Sequence, residues 1–285
     1  MLKSDFYRDC YMQTGWIPMQ PLMRPVALGD VCQIHHGYFQ PLMNIDQIDL
    51  VEPVAQSNLI PLNPIDWRIN RGVQQTFCSH EEYTSEARPL DEQTLAIRTK
   101  QALLFNQAGS YMFYGDQPGC NLLLNWNQIK QDTTLKLTQS HFSFRDIYVV
   151  TGVASMSHWA LAIAGEAKAQ LEMTASTDTT DQFLLFSHAS AKAELCRDIA
   201  TYERSHSEKA YFFQAKKMVL SDEMHDKYLL RLLENQNDFS RRAVANWFNS
   251  NLLNLIRSNE QNLTSTISFF DWVDASLDDV ERLLR

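Results

Sequence analysis

Several features common in other protein classes are missing from this 285-residue chain. No apolar run reaches the roughly 18 residues that a membrane-spanning helix needs, and residues 1 to 10 lack the apolar centre of a secretory signal. No basic patch offsets the net charge of −9, so nucleic acid is not expected as a partner. We expect a protein that rests in the cytoplasm.

The motifs of common catalytic families are absent as well. The chain has no Gly-x-x-x-x-Gly-Lys-Ser/Thr loop, no Gly-x-Gly-x-x-Gly, no Gly-x-Ser-x-Gly and no His-Glu-x-x-His. Its five cysteines are odd in number and widely spaced, which favours reduced thiols over a disulfide framework. Although these absences exclude only the families that use the motifs, we expect no cofactor and no enzymatic activity.

One set of side chains has the chemistry of a zinc site but not its spacing. Its members are Cys32, His35, His36, Cys78, His80 and Glu81. Thiolates and imidazoles suit tetrahedral zinc, but the two segments lie roughly 45 residues apart and match no common zinc motif. Since His35-His36-Gly37 equally fits a hairpin turn, the plainer interpretation is preferred.

Two further groups are weak for similar reasons. Cys196 with His188 or His206 could form a nucleophile pair, but chance pairings are easy among five cysteines and eight histidines. The polar run from Asp178 to Asp181 lacks the ordered ligand spacing of a calcium loop. We expect neither a catalytic pair nor a metal at these positions.

The positive signals begin with residues 147 to 174. Three short segments rich in β-branched and aromatic residues, Ile147 to Val153, Trp159 to Ala164 and Ala167 to Thr174, predict the three strands of a β-meander. The last segment alternates apolar and polar side chains, so it should have one face in contact with water. In the middle segment large residues oppose three alanines, which allows another element to approach closely.

The rest of the chain predicts a mixture of helices and strands. An amphipathic helix should span residues 5 to 17 and end near Gly15, and a hairpin should cover Leu28 to Leu42. A short helix is predicted near residues 45 to 50, and residues 71 to 92 have no assignment. Residues 94 to 105 fit either a strand or a helix. Further strands are predicted at 110 to 114, 120 to 130, 133 to 144, 181 to 190 and 210 to 220.

From Ser221 onward apolar residues recur at helical spacing. They include Tyr228, Leu232, Trp247, Phe248 and Trp272. The sequence therefore predicts an α+β fold, with a twisted and mainly antiparallel sheet, surrounding helices and a helical C-terminal region. The expected division is a β-rich body at 1 to 220 and a helical region at 221 to 285.

Several stretches occur in an order that is characteristic as a whole. They are Gly15-Trp16, the proline-broken extension at 18 to 25, the hairpin with Asn44-Ile45 after it, Ile147-Tyr-Val-Val-Thr-Gly-Val153, Ala200-Thr-Tyr-Glu203 and Lys209-Ala-Tyr-Phe-Phe213. In this order they resemble the bacterial gasdermins across residues 5 to 220. Between residues 50 and 140, few residues match the family pattern.

The resemblance implies assembly rather than catalysis. Gasdermins are autoinhibited; proteolysis removes a C-terminal inhibitory element, after which the body forms homo-oligomers and converts two regions into membrane-spanning β-hairpins. For this chain it implies an antiphage cell-death effector, with an activating protease and membrane lipid as partners and the inner membrane as its active location. Candidate membrane-inserting residues are Tyr148, Val150, Trp159, Leu161, Ile163 and Leu171. Leu122 to Phe144 is a further candidate segment.

Two features depart from the family pattern. Bacterial gasdermins commonly carry a lipidated Cys within the first few residues, whereas the nearest cysteine here is Cys10. The C-terminal region is also longer than the usual inhibitory segment. It is expected to act as an inhibitor, released by a cut within Glu234 to Arg242 or Arg257 to Thr266; the alternatives are a structural subdomain or a module through which a regulatory protein binds its partner.

Overall fold

A computed structural model of the chain describes residues 2–35, 37–84, 95–139, 147–222 and 269–284. The fold is α+β with antiparallel strand pairing, as the sequence predicted, and the strands form three sheets rather than one. The described helices are α1 (Ser4–Thr14), α2 (Trp126–Gln139), α3 (Gln182–Ser187) and α4 (Leu277–Leu283), with 3-10 turns at Ile45–Gln47 and Pro64–Trp67.

The strands are numbered along the chain. They are β1 (Ile17–Pro18), β2 (Asp30–His35), β3 (Tyr38–Asn44), β4 (Ile60–Pro61), β5 (Arg68–Arg71), β6 (Val73–Thr84), β7 (Leu95–Phe105), β8 (Tyr111–Asp116), β9 (Gly119–Leu122), β10 (Ile147–Ser155), β11 (His158–Ala164), β12 (Ala169–Ala175), β13 (Lys192–Arg197), β14 (Ile199–Ser205), β15 (Ala210–Leu220) and β16 (Phe270–Asp274). The predicted hairpin at 28 to 42 is confirmed by β2 and β3, and the predicted strand at 210 to 220 is β15.

Helix α1 forms where the sequence predicted it. Phe6, Tyr7 and Cys10 are buried along one side, at the three- and four-residue spacing of a helix face. The helix ends at Gly15, whose φ of 73° is left-handed and whose N–H donates to the Tyr11 carbonyl at 2.8 Å. A glycine takes this conformation with little strain, which explains the position of the helix end.

The largest sheet, here called the central sheet, has eight strands. Its main path is β1-β15-β10-β2-β3, while β16 pairs with β15, and β9 pairs with both β10 and β4. Strand β10 is packed on both faces: Tyr148 and Val150 join one hydrophobic cluster, and Ile147 and Val149 join another that includes α2 residues. The central sheet is therefore a core layer covered on two sides.

The other two sheets, of four strands each, are joined strand by strand into one bent unit. The strand order is β14-β11-β8-β5 in one half and β13-β12-β7-β6 in the other. Each strand of the first half continues along the chain into the strand at the same position in the second half. We call these the proximal half and the distal half of the bent sheet.

The pairing register passes through the bend. Phe105 pairs with Ala169 in the distal half, and Tyr111 pairs with Ile163 in the proximal half. Both partners have moved by six residues, so the two central chains keep their register across the corner. Gly109 N and Ala164 N donate to Ala164 O and Ser110 O, each at 2.9 Å, and these bonds join the two chains at the corner itself.

The predicted meander is wrong in its pairing, although its three strands exist. Strand β10 belongs to the central sheet, β11 to the proximal half and β12 to the distal half. Within the described residues none of the three pairs with another, because their partners come from distant parts of the chain. The predicted opposition of large and small residues in β11 is present. Trp159 joins the hydrophobic cluster that contains Tyr148 and Val150, here called the central cluster, whereas Ala160 joins the cluster that contains α3 residues.

Helices occupy much of three predicted strand segments, which are 120 to 130, 133 to 144 and 181 to 190. Residues 126 to 139 form α2, in which Trp126, Ile129 and Leu137 are buried at helical spacing; the alternation of only a few residues around Leu135 favoured a strand. The segment Phe183-Leu-Leu-Phe186 lies in α3, since the Asp181 carboxylate accepts hydrogen bonds from two N–H groups of the first turn. Short apolar runs are ambiguous between helix and strand.

The described part of the C-terminal region contains a strand as well as a helix. Trp272, predicted at a helical position, lies in β16 opposite Met218 of β15. Its indole N–H donates to Thr134 Oγ1 at 2.8 Å, and its ring contacts Trp126 edge to face. Pairing with a distant sheet edge therefore overrides the local helical pattern. Helix α4 follows and packs beside α1.

Candidate functional site

The distal half of the bent sheet has two chemically different faces. The inner face consists of buried side chains from alternate positions of its two middle strands: Thr99, Gln101, Leu103 and Phe105 of β7, and Ala169, Leu171, Met173 and Ala175 of β12. The outer face carries Lys100, which lies 3.2 Å from Glu172 and 3.8 Å from Glu194. This alternation suits a sheet between an apolar environment and water.

Both outer strands of the distal half are accessible. Every residue of β13, Lys192–Arg197, is exposed, and most described side chains of β6 are exposed. Each of these two strands has one described pairing partner, β12 for β13 and β7 for β6. An edge strand offers backbone N–H and C=O groups that can pair with another chain.

Helix α3 covers the inner face. Leu185 and Phe186 are fully buried in a cluster with Leu171 and Met173 of the distal half and with alanines of β11. Because side chains from both halves enter this one cluster, the bent sheet closes around α3. Removing α3 would expose an apolar face made of two halves.

An arginine from one edge strand holds the beginning of α3. Asp181 accepts hydrogen bonds from Phe183 N at 2.8 Å and Leu184 N at 3.1 Å, and it forms an ion pair with Arg68 Nη1 at 3.0 Å. The Arg68 guanidinium also lies over the rings of Tyr114 and Phe183, 5.4 and 5.9 Å from their centroids. Strand β5 is thereby tied to α3.

A second arginine, on the opposite edge strand, holds the end of α3. Arg204 of β14 donates hydrogen bonds to the carbonyl oxygens of Ser187, His188 and Ala191. A cation is favourable at the C-terminal end of a helix, where carbonyl groups lack helical partners. Residues 181–191, clamped at both ends, are called the strap below.

The C-terminal segment is joined to the body by a buried carboxylate. Asp279 Oδ1 accepts from Lys217 Nζ and from the Tyr148 hydroxyl, both at 2.6 Å, while Oδ2 accepts from Ser276 N at 2.8 Å and Ser276 Oγ at 3.1 Å. Burial alone would raise the pKa of Asp279, but the hydrogen bonds from Lys217, Tyr148 and Ser276 hold it below its usual value. We call this group the Asp279 latch.

Helix α1 connects α4 to the bend. Arg8 pairs with Glu281 of α4 at 2.9 Å. On the other side, Asp9 accepts a hydrogen bond from the Tyr111 hydroxyl at 2.6 Å and forms an ion pair with Arg71 at 3.2 Å. Arg71 is the last residue of β5, directly before the corner that leads into β6. The N-terminal helix thus contacts both the C-terminal segment and the corner of the bent sheet.

The membrane-inserting residues proposed from the sequence lie in three different places. Tyr148 and Val150 are in the central sheet, and Tyr148 is part of the Asp279 latch. Trp159, Leu161 and Ile163 are in the proximal half and face the central cluster. Leu171 lies in the distal half. The candidate segment Leu122 to Phe144 is wrong as a strand, because it contains α2.

Most of the proposed inhibitory residues fall outside the described part of the chain. These are Tyr228, Leu232, Trp247 and Phe248. Trp272 is described and binds the body through β15 and α2, as given above. Its position supports a contact between the C-terminal segment and the body, whereas its inhibitory role stays a prediction.

Cys10, the proposed lipidation site, is fully buried on α1. Burial raises the pKa of its thiol to about 12, so the side chain is a neutral thiol in this state. Its sulfur lies 3.8 Å from Thr14 Oγ1. Acylation of Cys10 would require α1 to leave the core, and the lipidation stays a prediction.

The two segments of the zinc candidate lie in different sheets. Cys32 is buried in the central sheet, while Cys78 is exposed on β6 in the distal half; His36 lies outside the described residues. Over the described ranges no cluster of three or more His, Cys, Asp or Glu side chains is placed to hold a metal. The run at 178 to 181 ends in the helix cap Asp181, and Cys196 is on the exposed strand β13.

The sequence analysis missed the two arginines of the strap and the Asp279 latch. A local signal existed for the latch, because Ser276-x-x-Asp279 before Val280 is a helix-capping pattern. No local signal identifies Arg68 or Arg204, since their partners are 113 and 13 to 17 residues away in the chain.

No protein-family model and no curated protein matches the chain. Among solved structures, a bacterial gasdermin from Bradyrhizobium tropiciagri is similar, with 11% identity, coverage of 75% of this chain and 86% of that chain, and a TM-score of 0.34. By name, that neighbour is a member of the family that the sequence resembles. In the described ranges, no helix has the length and hydrophobicity to cross a bilayer.

Proposed function

We propose that the protein is a gasdermin-like pore-forming effector held inactive by its C-terminal region. The observation that carries the proposal is the bent sheet: two β-hairpins, paired in register, have a mainly apolar face that α3 covers and a polar face in contact with water. If the strap leaves, the apolar face can contact lipid and the polar face can line an aqueous channel. Such alternation is what a strand in a membrane pore requires.

The strand lengths support the distal half as the inserting part. Strands β6 and β7 have 12 and 11 residues, and a tilted strand needs about 9 to 11 residues to cross a bilayer. Strands β12 and β13 have seven and six residues, so the second hairpin becomes long enough only if part of 176–191 joins it. The proposal therefore keeps Leu171 as a lipid-facing residue and leaves out Tyr148 and Val150.

Oligomerisation follows from the exposed edges. A strand in lipid cannot leave its backbone groups unpaired, so β13 of one copy would pair with β6 of the next until a ring closes. The chain would then be a homo-oligomer only in its active state. The same strands could therefore belong to a resting fold in one state and to a pore in the other.

Inhibition is assigned to the C-terminal region. Strand β16 occupies the edge of β15, and the Asp279 latch joins α4 to β10 and β15. A cut between residues 222 and 269 would separate this segment from the chain that precedes it. The activating protease, the inner membrane as target and cell death in antiphage defence rest on the sequence resemblance.

The proposal predicts dye release from liposomes only after cleavage. The purified full chain is incubated with dye-loaded liposomes before and after limited proteolysis, and each cut is mapped by mass. We expect release after a cut between residues 222 and 269, and none from the intact chain. When a peptide that contains the β16–α4 segment is added to the cleaved chain, dye release should decrease.

The exposed cysteines allow a sharper test of insertion. Cys78 and Cys196 are the exposed cysteines, one on each hairpin, and their pairing partners Gln101 and Leu171 lie on the inner face. An environment-sensitive dye on either one should enter lipid after activation. The matched controls are Ser79→Cys and Leu195→Cys in a chain whose Cys78 and Cys196 are serine, because these neighbours lie on the outer face and their dyes should stay in water.

Two results would contradict the proposal. One is a cleaved chain that keeps its folded body and releases no dye from any truncation. The other is equal dye burial at neighbouring positions, which indicates surface binding without spanning strands. Either result would favour the alternative, a non-enzymatic regulatory protein that binds a partner through its C-terminal region.

A further inference from the structure

One face of α1 contacts the C-terminal segment. Arg8 Nη2 lies 2.9 Å from Glu281 Oε1 of α4, and the Tyr11 hydroxyl donates to the Ala275 carbonyl oxygen at 3.2 Å. Residues 8 and 11 are three positions apart, so they lie on the same side of the helix. Because Ala275 directly follows β16 and Glu281 belongs to α4, both contacts are lost if this segment leaves.

The neighbouring face of α1 contacts the corner of the bent sheet. Asp5 and Asp9, one helical turn apart, lie 3.3 and 3.2 Å from Arg71 Nη1, and Asp9 also accepts from the Tyr111 hydroxyl at 2.6 Å. Arg71 ends β5, and Tyr111 begins β8 directly after the corner at 106–110. Two carboxylates of one helix therefore hold two strands of the proximal half where these strands bend.

The remaining side of α1 is embedded in the body. Phe6, Tyr7 and Cys10 are buried, and the Tyr7 hydroxyl donates to the Met19 carbonyl oxygen at 2.8 Å. The Phe6 ring also contacts the ring of Tyr111, with the centroids 5.5 Å apart. A packed helix is a rigid element, so a shift that separates one of its faces also alters the contacts of the others.

We propose that α1 couples the C-terminal segment to the corner of the bent sheet, so that loss of the Arg8 and Tyr11 contacts also loosens the Asp5 and Asp9 contacts. The two states are α1 docked and α1 undocked. The contacts on both faces exist only in the docked state, so each set of partners favours that state. Linkage then requires that the corner and the C-terminal segment affect each other reciprocally.

This inference deepens the inhibition in the proposed function, on which its biological role rests. A cut would act on the bent sheet through the N-terminal helix. The other available route runs through the central sheet, where the Asp279 latch joins α4 to β10 and β15. The two routes differ in one observable: α1 undocks in the first and stays docked in the second.

The test measures undocking in the intact chain without membranes. Cys78 and Cys196, the exposed cysteines, are replaced by serine, and alkylation of buried Cys10 by N-ethylmaleimide is located by mass. Alkylation through global unfolding is calculated from a denaturant titration of each variant and subtracted, so the remaining rate measures how often α1 leaves the core. Amide hydrogen exchange at 106–110 and 277–283 follows the corner and α4.

Two variants loosen the C-terminal segment without changing α1. Asp279→Asn breaks the latch, and we expect Cys10 alkylation and corner exchange to increase by about fivefold or more. Glu281→Gln removes the partner of Arg8; the increase should be about twofold, since that ion pair is partly exposed. Asp274→Asn is the matched control, because it removes an ion pair with Lys216 of β15 instead, and its Cys10 alkylation should equal that of the wild type.

The reverse direction tests the coupling itself. Arg71→Gln at the corner should increase hydrogen exchange of α4 by about twofold or more, whereas Lys100→Gln, which removes an ion pair of the outer face, should not. Unchanged Cys10 alkylation in Asp279→Asn while α4 exchange increases would overturn the proposal, because the segment would then leave without α1. Unchanged α4 exchange in Arg71→Gln would also overturn it. Neither result depends on dye release, which tests the proposed function separately.

Discussion

The central sheet and the distal half of the bent sheet are built from similar strands but are stabilised differently. Strand β10 is covered on both faces by hydrophobic clusters. In the distal half, the inner face is covered by one short helix, and the outer face carries ion pairs in contact with water. A strand packed on two faces is costly to move, whereas a sheet covered by a six-residue helix can be uncovered locally.

Under the proposed function, the central sheet would be the fixed part of the chain and the distal half the part that converts. The central sheet binds the C-terminal segment through β16 and the Asp279 latch, and it contacts the proximal half through aromatic residues. The distal half joins the rest through four corners and the strap. We therefore expect substitutions in the central sheet to lower global stability and substitutions in the distal half to act locally.

The largest expected effect comes from Phe212→Ala. Phe212 is fully buried, and its ring contacts those of Trp67 and Phe113 at 4.9 and 5.6 Å. Removing the ring should lower the free energy of unfolding by about 3–5 kcal/mol, measured by denaturant titration. Phe186→Ala is the matched change in α3; it should raise hydrogen exchange at 182–187 with a smaller shift of the global midpoint. Equal global losses would contradict the contrast between the regions.

A somewhat smaller loss is expected for Asp279→Asn, which leaves Lys217 without its charge partner. Breaking the latch should cost about 3 kcal/mol at neutral pH. Because the pKa of Asp279 is held below its usual value, its contribution is fully present above the ordinary aspartate pKa of about 4 and disappears as the pH falls through the folded-state pKa. Wild type and variant should thus converge in acid, as followed by thermal unfolding. A difference that stays constant as the carboxylate of the wild type is titrated would show that its charge is not responsible for the loss.

An intermediate effect is expected at the corner, in Gly72→Ala. Gly72 has φ +69°, and a Cβ there would lie 2.6 Å from Ser110 Oγ. The left-handed conformation costs about 1–2 kcal/mol for alanine, and the crowded hydroxyl must also move. Gly15→Ala is the control at α1, with φ +73° and open space around the added carbon. Calorimetry should give a larger loss for Gly72→Ala; the reverse order would mean that the corner is not under steric constraint.

The smallest effect is expected from Glu172→Gln on the outer face. Glu172 pairs with Lys100 at 3.2 Å, and both side chains are about one-third exposed. Exposed ion pairs contribute about 0.2–1 kcal/mol, so the change in unfolding free energy should be near the lower end of that range. A loss above about 2 kcal/mol would mean that the distal half is fixed far more firmly than its exposure indicates.

Much of the local structure could be predicted from the sequence, whereas the pairing could not. Helix α1, the β2–β3 hairpin and β15 follow from periodicity and turn residues, which act over a few neighbouring positions. The meander was wrong because alternation predicts a strand without identifying its partner. Residues 183 to 186 were assigned to a strand because four apolar residues in a row fit either a strand or a helix.

The candidate site was predictable only in part. Leu171 could be named, since the alternation of β12 gives its inner face directly. The arginines at the two ends of the strap could not be named, because the local sequence does not distinguish an edge-strand charge that faces water from one that faces a helix end. Trp272 shows the same limit, as its strand exists through pairing with β15.

The sequence by itself determined where α1 ends, that β2, β3, β10, β11, β12 and β15 are extended, and which face of β12 is apolar, because these properties depend on neighbouring residues. The tertiary structure decided that four long strands bend together, that α3 fills the bend and that Asp279 joins Lys217 and Tyr148. These features depend on contacts between residues up to 131 positions apart, and such contacts are fixed only when the whole chain packs.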